Sequence, residues 1–369
     1  MKRQMIAAVL FALWASTGNA DDCGQFCEMS FWKDRDRPPL EASQIEGRDL
    51  DALLPITKKR RFTLAQLSLL FYRWEDVVFL IEAGADPNVF SSRGDSLLGM
   101  TATKHLGITA HMADSERDAK INERMDRVLY LLEKGADPTQ VTEKSDGIMH
   151  YMSWQDENYI IGPLIAHLGL DVNDRNSQGF APIHLAALRG GYPQIYTLAK
   201  IGADVNLPLE NGETPLHLVA GQNYLNYNTV PALLEYRADP NVRDNGGQTP
   251  LHALAGGEEP DAKALDCLFI AGAELDAQDN NGDTALHLAV REGHGDIASA
   301  LMALGADRRI VNLQGETPWQ AFLNRPADVE YFGGDPLALR NGQPVTYIFS
   351  SIPGFRTGPD PVCELTYRK

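Results

Sequence analysis

Apolar and polar positions alternate along residues 174–320 in a pattern that recurs with a nearly constant period. In each unit a short apolar cluster, such as Leu216, Leu218 and Val219, is predicted to face inward. A glycine-containing turn follows, and then a second apolar stripe, such as Ala298, Leu301 and Met302. Apolar residues three or four positions apart form one face of a helix. Each unit is therefore predicted to contain a short first helix and a second helix with a Leu-rich stripe.

A four-residue phrase marks the start of the first helix in each unit. Thr-Pro-Leu-His occurs at 214–217 and 249–252, Thr-Ala-Leu-His at 284–287, and weaker versions occur at 181–184 and 317–320. Threonine is a good N-cap, and proline suits the first helical position because it needs no hydrogen-bond partner there. The phrase therefore predicts where each first helix begins.

A second phrase, Gly-Ala-Asp or a close variant, follows the second helix and begins at 202, 237, 272 and 305. Its glycine is predicted to end that helix in a left-handed conformation. Residues 276–282, with Asn281-Gly282 as the turn, are predicted to form a hairpin-like finger that leads to the next unit.

The period near 33 residues and the Thr-Pro-Leu-His phrase resemble ankyrin repeats. The resemblance implies an all-α solenoid of about seven to eight helix-turn-helix units with short β-hairpin fingers, an N-terminal cap and a small β-like C-terminal tail. In that family the histidine of the phrase hydrogen-bonds backbone across the turn between repeats. The resemblance therefore implies a structural role for His184, His217, His252 and His287.

The repeat array is predicted to span 58–323. Its units run about 58–90, 91–138, 141–173, 174–206, 207–241, 242–276 and 277–309, and the last begins at 310 and has either lost its second helix or serves as a cap. The second unit is too long, and the excess is a polar insertion at about 101–121. Single units cannot bury their apolar faces, so neighbours must stack.

Two segments flank the array. Residues 21–57 are predicted to form an N-terminal capping segment in which Phe31 and Trp32 pack onto the first unit, while 34–37 and 48–51 face water. Residues 324–369 are predicted to form a C-terminal cap or tail with β-like runs at 345–349 and 362–367.

Residues 1–20 have the features of a signal peptide. Lys2 and Arg3 precede an apolar run at 6–14, and small residues end at Ala20, where cleavage is expected. The run is too short to span a bilayer, and no later stretch is apolar enough. The run Cys-Glu-Met-Ser-Phe-Trp-Lys at 27–33, ahead of the repeats, resembles exported ankyrin proteins of Gram-negative bacteria, which implies a periplasmic or secreted protein.

Export permits disulfides. One bridge is expected, either Cys23–Cys27 or one of these two with Cys363, and the sequence leaves the pairing open. Cys267 lies in the apolar stripe of a second helix and is predicted to be a buried free thiol. A metal or redox site is the alternative, although the C-x-x-x-C spacing suits neither a zinc knuckle nor C-x-x-C chemistry.

The formal net charge is −17, from 33 Lys and Arg against 50 Asp and Glu. This charge argues against nucleic acid and anionic membranes as partners, because both would be repelled. It indicates either solubility alone or attraction of a basic partner.

No catalytic signature is evident in the sequence. The histidines of the phrase recur once per unit, too far apart to converge on one ion, and no P-loop, nucleophile elbow or dinucleotide-binding motif is found. The chain is therefore predicted to be no enzyme and to use no cofactor or metal. The alternative is chemistry in the 101–121 insertion, where His105, His111 and Asp114 could hold a metal instead of forming a solvated loop, or in the 324–369 tail.

The predicted function is binding of another protein, and the chain is predicted to act as a monomer. Neither binding of nucleic acid nor insertion into a membrane is expected. An immunity or inhibitor protein that blocks a toxin or enzyme is the alternative. The exposed side of the first helices and the finger tips are expected to form the binding surface. The candidate residues are Arg175, Gln178, Phe180, Arg189, Tyr192, Glu210, Asn211, Glu213, Gln222, Arg243, Asn245, Gln248, Gln278, Asn280, Asp283, Arg291 and Glu292.

Overall fold

The computed structural model describes residues 24–34, 36–57, 60–103, 113–142, 146–153, 168–221, 229–258 and 260–323, together with two short strands near the end of the chain. The chain divides into two compact units, Met1–Ile160 and Ile161–Lys369.

The first unit opens with a capping segment and continues as helix pairs. Its elements are a 3-10 helix Gly24–Cys27, α1 Met29–Lys33, α2 Ala42–Ile45, β1 Leu54–Thr57, β2 Arg60–Phe62, α3 Leu64–Leu70, α4 Trp74–Glu82, α5 Leu97–Thr103, α6 Asp114–Glu133 and α7 Ile148–Ser153. Strands β1 and β2 pair antiparallel, with Leu54 opposite Phe62. The first helices α3, α5 and α7 contact one another in sequence order.

The capping segment is held by an aromatic contact and by a buried ion cluster. Trp32 is 2 % exposed, stacks on Phe71 at 6.0 Å between ring centroids, and donates its Nε1–H to the Phe26 carbonyl at 2.8 Å. Phe71 belongs to the first repeat, at about 58–90, so the predicted packing of Trp32 on that repeat is confirmed. The prediction that Arg37 faces water is wrong, because its side chain is 7 % exposed and binds the fully buried Asp76 at 2.6 Å.

The predicted insertion at 101–121 is partly helical. Residues 101–103 end α5, and residues 114–121 are the first turns of α6, which is 20 residues long. This stretch contains Glu, Arg, Lys and Ala, residue types that favour helix. The prediction of a solvated loop is therefore wrong for 114–121, whereas His105 and His111 lie outside the described residues.

The second unit continues the same plan. Its elements are α8 Pro182–Arg189, α9 Tyr192–Lys200, α10 Pro215–Ala220, α11 Thr229–Glu235, α12 Pro250–Gly256, α13 Ala262–Ile270, α14 Ala285–Glu292, α15 Gly295–Leu304, α16 Pro318–Leu323, β3 Leu339–Arg340 and β4 Gln343–Pro344. Strands β3 and β4 pair antiparallel. The β-like runs predicted at 345–349 and 362–367 lie outside the described residues.

Two rows of helices form the core of the second unit. The first helices α8, α10, α12, α14 and α16 stack on one another, and the second helices α9, α11, α13 and α15 form a parallel row. Leu216, Leu251 and Leu286 are the third residues of the phrase in three consecutive units, and their side chains are fully buried. The helix-turn-helix repeats predicted from the period are therefore present in the second compact unit of the chain.

The second helices end as the sequence predicted. Gly202, Gly272 and Gly305 have φ of 99°, 92° and 109°, which is left-handed backbone. In the unit between them Arg237 takes the same place with φ of 65°. An L-residue is strained in this conformation, so the unit 207–241 has a less favourable helix end than its neighbours.

The prediction that Cys267 is a free thiol is wrong. Cys267 lies in α13, is 3 % exposed, and is disulfide-bonded rather than a free thiol. The cysteine that it pairs with lies outside the described side chains. Its position among apolar residues predicted burial correctly, but burial alone says nothing about a distant partner cysteine.

Candidate functional site

A groove of about 480 Å³ crosses the row of first helices at α10, α12 and α14. Leu218, Ala253 and Leu288 line it and occupy the same place in three consecutive units, directly after the histidine of the phrase. The half-buried Leu218 therefore lines the groove, whereas the sequence predicted that it faces inward. The alanine side chain is much shorter than the leucine on either side. The row therefore has a notch at Ala253.

Glycines keep the notch open at the ends of the helices. Gly221 and Gly256 stand at the place that holds Leu188 in the preceding unit and Arg291 in the following one. Both glycines line the groove, as does Gly257. Because Gly221 and Gly256 have no side chain, the space that a leucine or an arginine would occupy at these two places stays empty.

Charged side chains surround the notch. The Glu213 carboxylate accepts a hydrogen bond from Asn211 Nδ2 at 2.7 Å. Arg291 donates to the buried Asp283 carboxylate at 2.8 Å, whereas its Nε lies 3.9 Å from Glu292, whose side chain is 49 % exposed. Since Asp283 neutralises Arg291, Glu213 and Glu292 give the groove a net negative rim.

His217 and His252 of the phrase also line the groove, and each ties its unit to the next. His217 Nε2 donates to the Gln248 carbonyl at 3.0 Å, and His252 Nε2 donates to the Asp283 carbonyl at 3.0 Å. On the other side of the ring, His217 Nδ1 accepts from the Thr214 N–H at 3.2 Å. Nε2 must carry a proton because the carbonyl that it faces can only accept, and Nδ1 must be unprotonated because the N–H that it faces can only donate. These imidazoles are therefore neutral.

Burial holds these imidazoles in the neutral form. Burial lowers the pKa of His184 to about 4, and it also lowers the pKa values of His217, His252 and His287. A protonated ring would turn the Nδ1 acceptor into a donor that faces another N–H group. The structural role that the ankyrin resemblance implied for the four histidines agrees with these contacts.

Three predicted surface residues at equivalent places use their side chains to join neighbouring fingers. Arg175 donates to the carbonyls of Gly179 at 2.8 Å and Pro208 at 2.6 Å. Arg243 reaches its own finger and Gln278 O at 2.6 Å, and Gln278 in turn reaches Val311 O at 3.0 Å. These side chains hold the fingers in register as well as facing solvent.

The finger tips are also joined by hydrogen bonds. The Asn245 N–H donates to the Asn211 carbonyl at 2.9 Å, and Asn245 Nδ2 donates to the Glu210 carbonyl at 2.9 Å. Asn280 Nδ2 donates to the Asn245 carbonyl at 3.0 Å. The tips thus form a continuous exposed edge.

The remaining predicted residues are spread over several places. Gln178 and Arg189 are exposed, and the half-buried Phe180 packs edge-on against His184 at 6.3 Å between ring centroids. Tyr192 begins α9 in the row of second helices and stacks on Tyr196. Gln222 lies outside the described residues.

Asp283 departs from the expectation of an exposed residue. It is 2 % exposed, and its carboxylate accepts from Arg291 and from Asn312 Nδ2, each at 2.8 Å. Its place at the end of the finger suggested exposure, but the long side chains of the neighbouring elements cover it. Its role is to orient Arg291 at the groove.

The sequence predictions included Glu213, Gln248, Arg291 and Glu292, which line the groove, but missed its floor. Ala253 and the glycines carry no functional group, so no motif points to them. Aligning the units on the phrase would have shown a small residue where both neighbours have leucine.

Neither a metal cluster nor a membrane-spanning helix is found in the described part of the chain. No group of three or more His, Cys, Asp or Glu is placed to hold an ion there. No helix in the same residues is long and apolar enough to cross a bilayer.

The family model described as ankyrin repeats (3 copies) matches residues 183–265 and 255–323, which include α10, α12 and α14. No protein among those with curated descriptions matches the chain.

Proposed function

We propose that this chain, whose residues 183–323 match ankyrin repeats, is a non-catalytic scaffold that binds another protein on its row of first helices. Ankyrin repeats generally serve as protein-protein interaction scaffolds. The observation that carries the proposal is the groove over Ala253. A notch between two leucines accepts one inserted side chain, and such buried central contacts supply most of the binding energy in protein interfaces.

The rigidity of the surface supports this function. Arg243 and Gln278 tie each finger to the next, and His217 and His252 tie the first helices to the fingers that follow them. A surface that is already ordered loses little conformational entropy when a partner binds. The scaffold therefore presents Glu213, the groove and the finger edge in a fixed arrangement.

A capture experiment with matched variants tests the proposal. Ala253 is half-buried in α12, and Ala253→Arg fills the notch with a residue that favours helix. Ala303→Arg makes the same change at an exposed alanine in the second-helix row, in α15. An extract of the source cells should yield a protein that the wild type and Ala303→Arg retain and Ala253→Arg loses.

Equal retention by Ala253→Arg would contradict binding at the groove, as would the absence of any retained protein across several extract conditions. Circular dichroism of both variants checks that they are folded. The identity of the captured protein distinguishes a general scaffold from an immunity or inhibitor protein, because the latter would retain a toxin or an enzyme and abolish its activity.

We also propose that this scaffold is exported and acts in the periplasm or outside the cell. The apolar segment at 6–14 with Ala20 at a small-residue site supports export. The disulfide at Cys267 also supports it, since disulfides persist in oxidising compartments. Cell fractionation with N-terminal sequencing tests this, and a mature chain that begins at Asp21 is expected. A cytoplasmic chain that retains residues 1–20 would contradict export.

A further inference from the structure

We propose that the groove binds a basic segment of the partner protein, with a lysine or arginine side chain inserted over Ala253 and its cationic group paired with Glu213 or Glu292. This inference rests on the proposed function, because it names the chemistry of the partner that the same groove receives.

The shape of the groove suits a long side chain with an apolar stem. Leu218, Ala253 and Leu288 provide apolar atoms to the groove, and the acidic residues Glu213 and Glu292 line the same space. Lysine and arginine bury an aliphatic stem against apolar surface while the charged group stays in a polar environment. The groove therefore offers both surfaces that such a side chain requires.

The balance of charge at the groove favours a cation. The Arg291 guanidinium is already paired with the Asp283 carboxylate at 2.8 Å, so this pair contributes no net charge. Glu213 and Glu292 then leave the groove negative, and the exposed Glu258 directly follows Gly257 at its end. The whole chain carries −17, so the long-range field also attracts a basic partner.

An apolar side chain fits the charge of the groove less well. Glu213 already accepts from Asn211 and Glu292 lies 3.9 Å from Arg291. Covering these two carboxylates with apolar atoms would remove water without providing a new partner in its place, which costs free energy. An acidic side chain would be repelled by the same groups. A basic side chain instead replaces the lost water with an ion pair.

A peptide library displayed on phage tests the inference with the full-length protein. The probe is a pool of random 12-residue peptides, selected against the wild type and against Ala253→Arg. We expect the peptides that depend on Ala253 to be enriched in lysine and arginine. A synthetic copy of the most enriched peptide should bind the wild type more weakly as salt is raised, because salt screens exposed charges.

Charge reversal gives the matched comparison. We expect Glu213→Lys/Glu292→Lys to weaken the basic peptide by about tenfold or more, since each exposed ion pair is replaced by repulsion. The control Glu235→Lys/Glu274→Lys changes the total charge equally at two exposed glutamates that do not line the groove, and should weaken it less than threefold or so.

The outcomes separate this inference from the proposed function. Peptides that depend on Ala253 but lack basic residues would overturn the inference and leave groove binding in place. Equal weakening by both double variants would also overturn it, because attraction would then come from total charge alone. If Ala253→Arg selects the same peptides as the wild type, or if no peptide is enriched, both proposals fail.

Discussion

Gln66 and His217 make equivalent pairs of hydrogen bonds in different units of the chain. Gln66 Oε1 accepts from the Thr63 N–H at 3.0 Å, and Gln66 Nε2 donates to the Val89 carbonyl at 2.8 Å. His217 uses Nδ1 and Nε2 in the same roles. The tie between units therefore needs one acceptor and one donor at this place, and it does not need a group that titrates.

We expect the stability of the second unit to fall in mild acid because of these histidines. The unfolded chain binds a proton at an ordinary histidine pKa of about 6.5, whereas burial lowers the pKa of His184 to about 4 in the folded protein. The neutral ring makes its full contribution to the free energy of unfolding above a pH of about 6.5, and this contribution is lost as the pH falls towards about 4. For His184 alone the loss is about 3 kcal/mol.

His184→Gln tests this titration, because Gln66 and Gln320 show that the fold accepts glutamine at this place. Chemical denaturation of the wild type and His184→Gln is measured between pH 4 and pH 7.5 or so. The variant should lose less stability on acidification. Parallel pH profiles would contradict a neutral, buried His184.

Asp76 is expected to anchor the capping segment. Its buried carboxylate accepts from Arg37 at 2.6 Å, from Arg73 at 2.7 Å and from the Leu40 N–H at 2.8 Å. Asp76→Asn leaves the buried guanidinium of Arg37 without its counter-charge, so we expect a loss of about 3 kcal/mol. Urea unfolding measures it, with Asp36→Asn as the exposed control. Similar unfolding of the two variants would contradict this role.

Arg237 is expected to be a place where a substitution stabilises the protein. With φ of 65° it occupies the left-handed position that glycine holds at 202, 272 and 305. Arg237→Gly should raise stability by about 1 kcal/mol, because glycine removes the strain and keeps the carbonyl that accepts from Asn206 Nδ2. Arg237→Ala, which retains the strain, is the control. Equal melting temperatures for the two variants would contradict the explanation.

The substitutions Gly257→Ala and Gly256→Ala are expected to have different effects on stability. A Cβ at Gly257 would lie 2.6 Å from the Gly221 carbonyl oxygen, whereas a Cβ at Gly256 would lie 3.7 Å from Leu288 Cδ1. Gly257→Ala should therefore cost about 1–3 kcal/mol, since the backbone must move. Gly256→Ala should be tolerated and should narrow the groove slightly. Thermal unfolding of the pair gives the answer, and equal effects would contradict the close approach at Gly257.

Cys267 should resist thiol reagents until the protein is reduced. Because it is disulfide-bonded, alkylation in denaturant without reductant should leave its peptide unlabelled, and reductant should expose it. Mass spectrometry of the unreduced digest then identifies its partner among Cys23, Cys27 and Cys363. Reduction should also lower the melting temperature, as a disulfide contributes about 2–4 kcal/mol. Labelling of Cys267 without reductant would contradict the bridge.

The sequence by itself determined the features that depend on neighbouring residues. The Thr-Pro-Leu-His phrase predicted where α10 and α12 begin, and the glycine of the second phrase predicted where the second helices end. The fixed period also predicted the stacking, because units with equivalent apolar faces have only one another to cover them. These features follow from local backbone preferences repeated at a constant offset.

Only the tertiary structure decided the features that join distant residues. Arg37 finds Asp76, and Asp283 is covered by Arg291 and Asn312, although each of these residues stands in a polar stretch that suggests exposure. The groove exists because Ala253 lies between leucines of two other units, so it is defined by missing side-chain volume. A chain read residue by residue does not show such a space, since its walls come from three units at once.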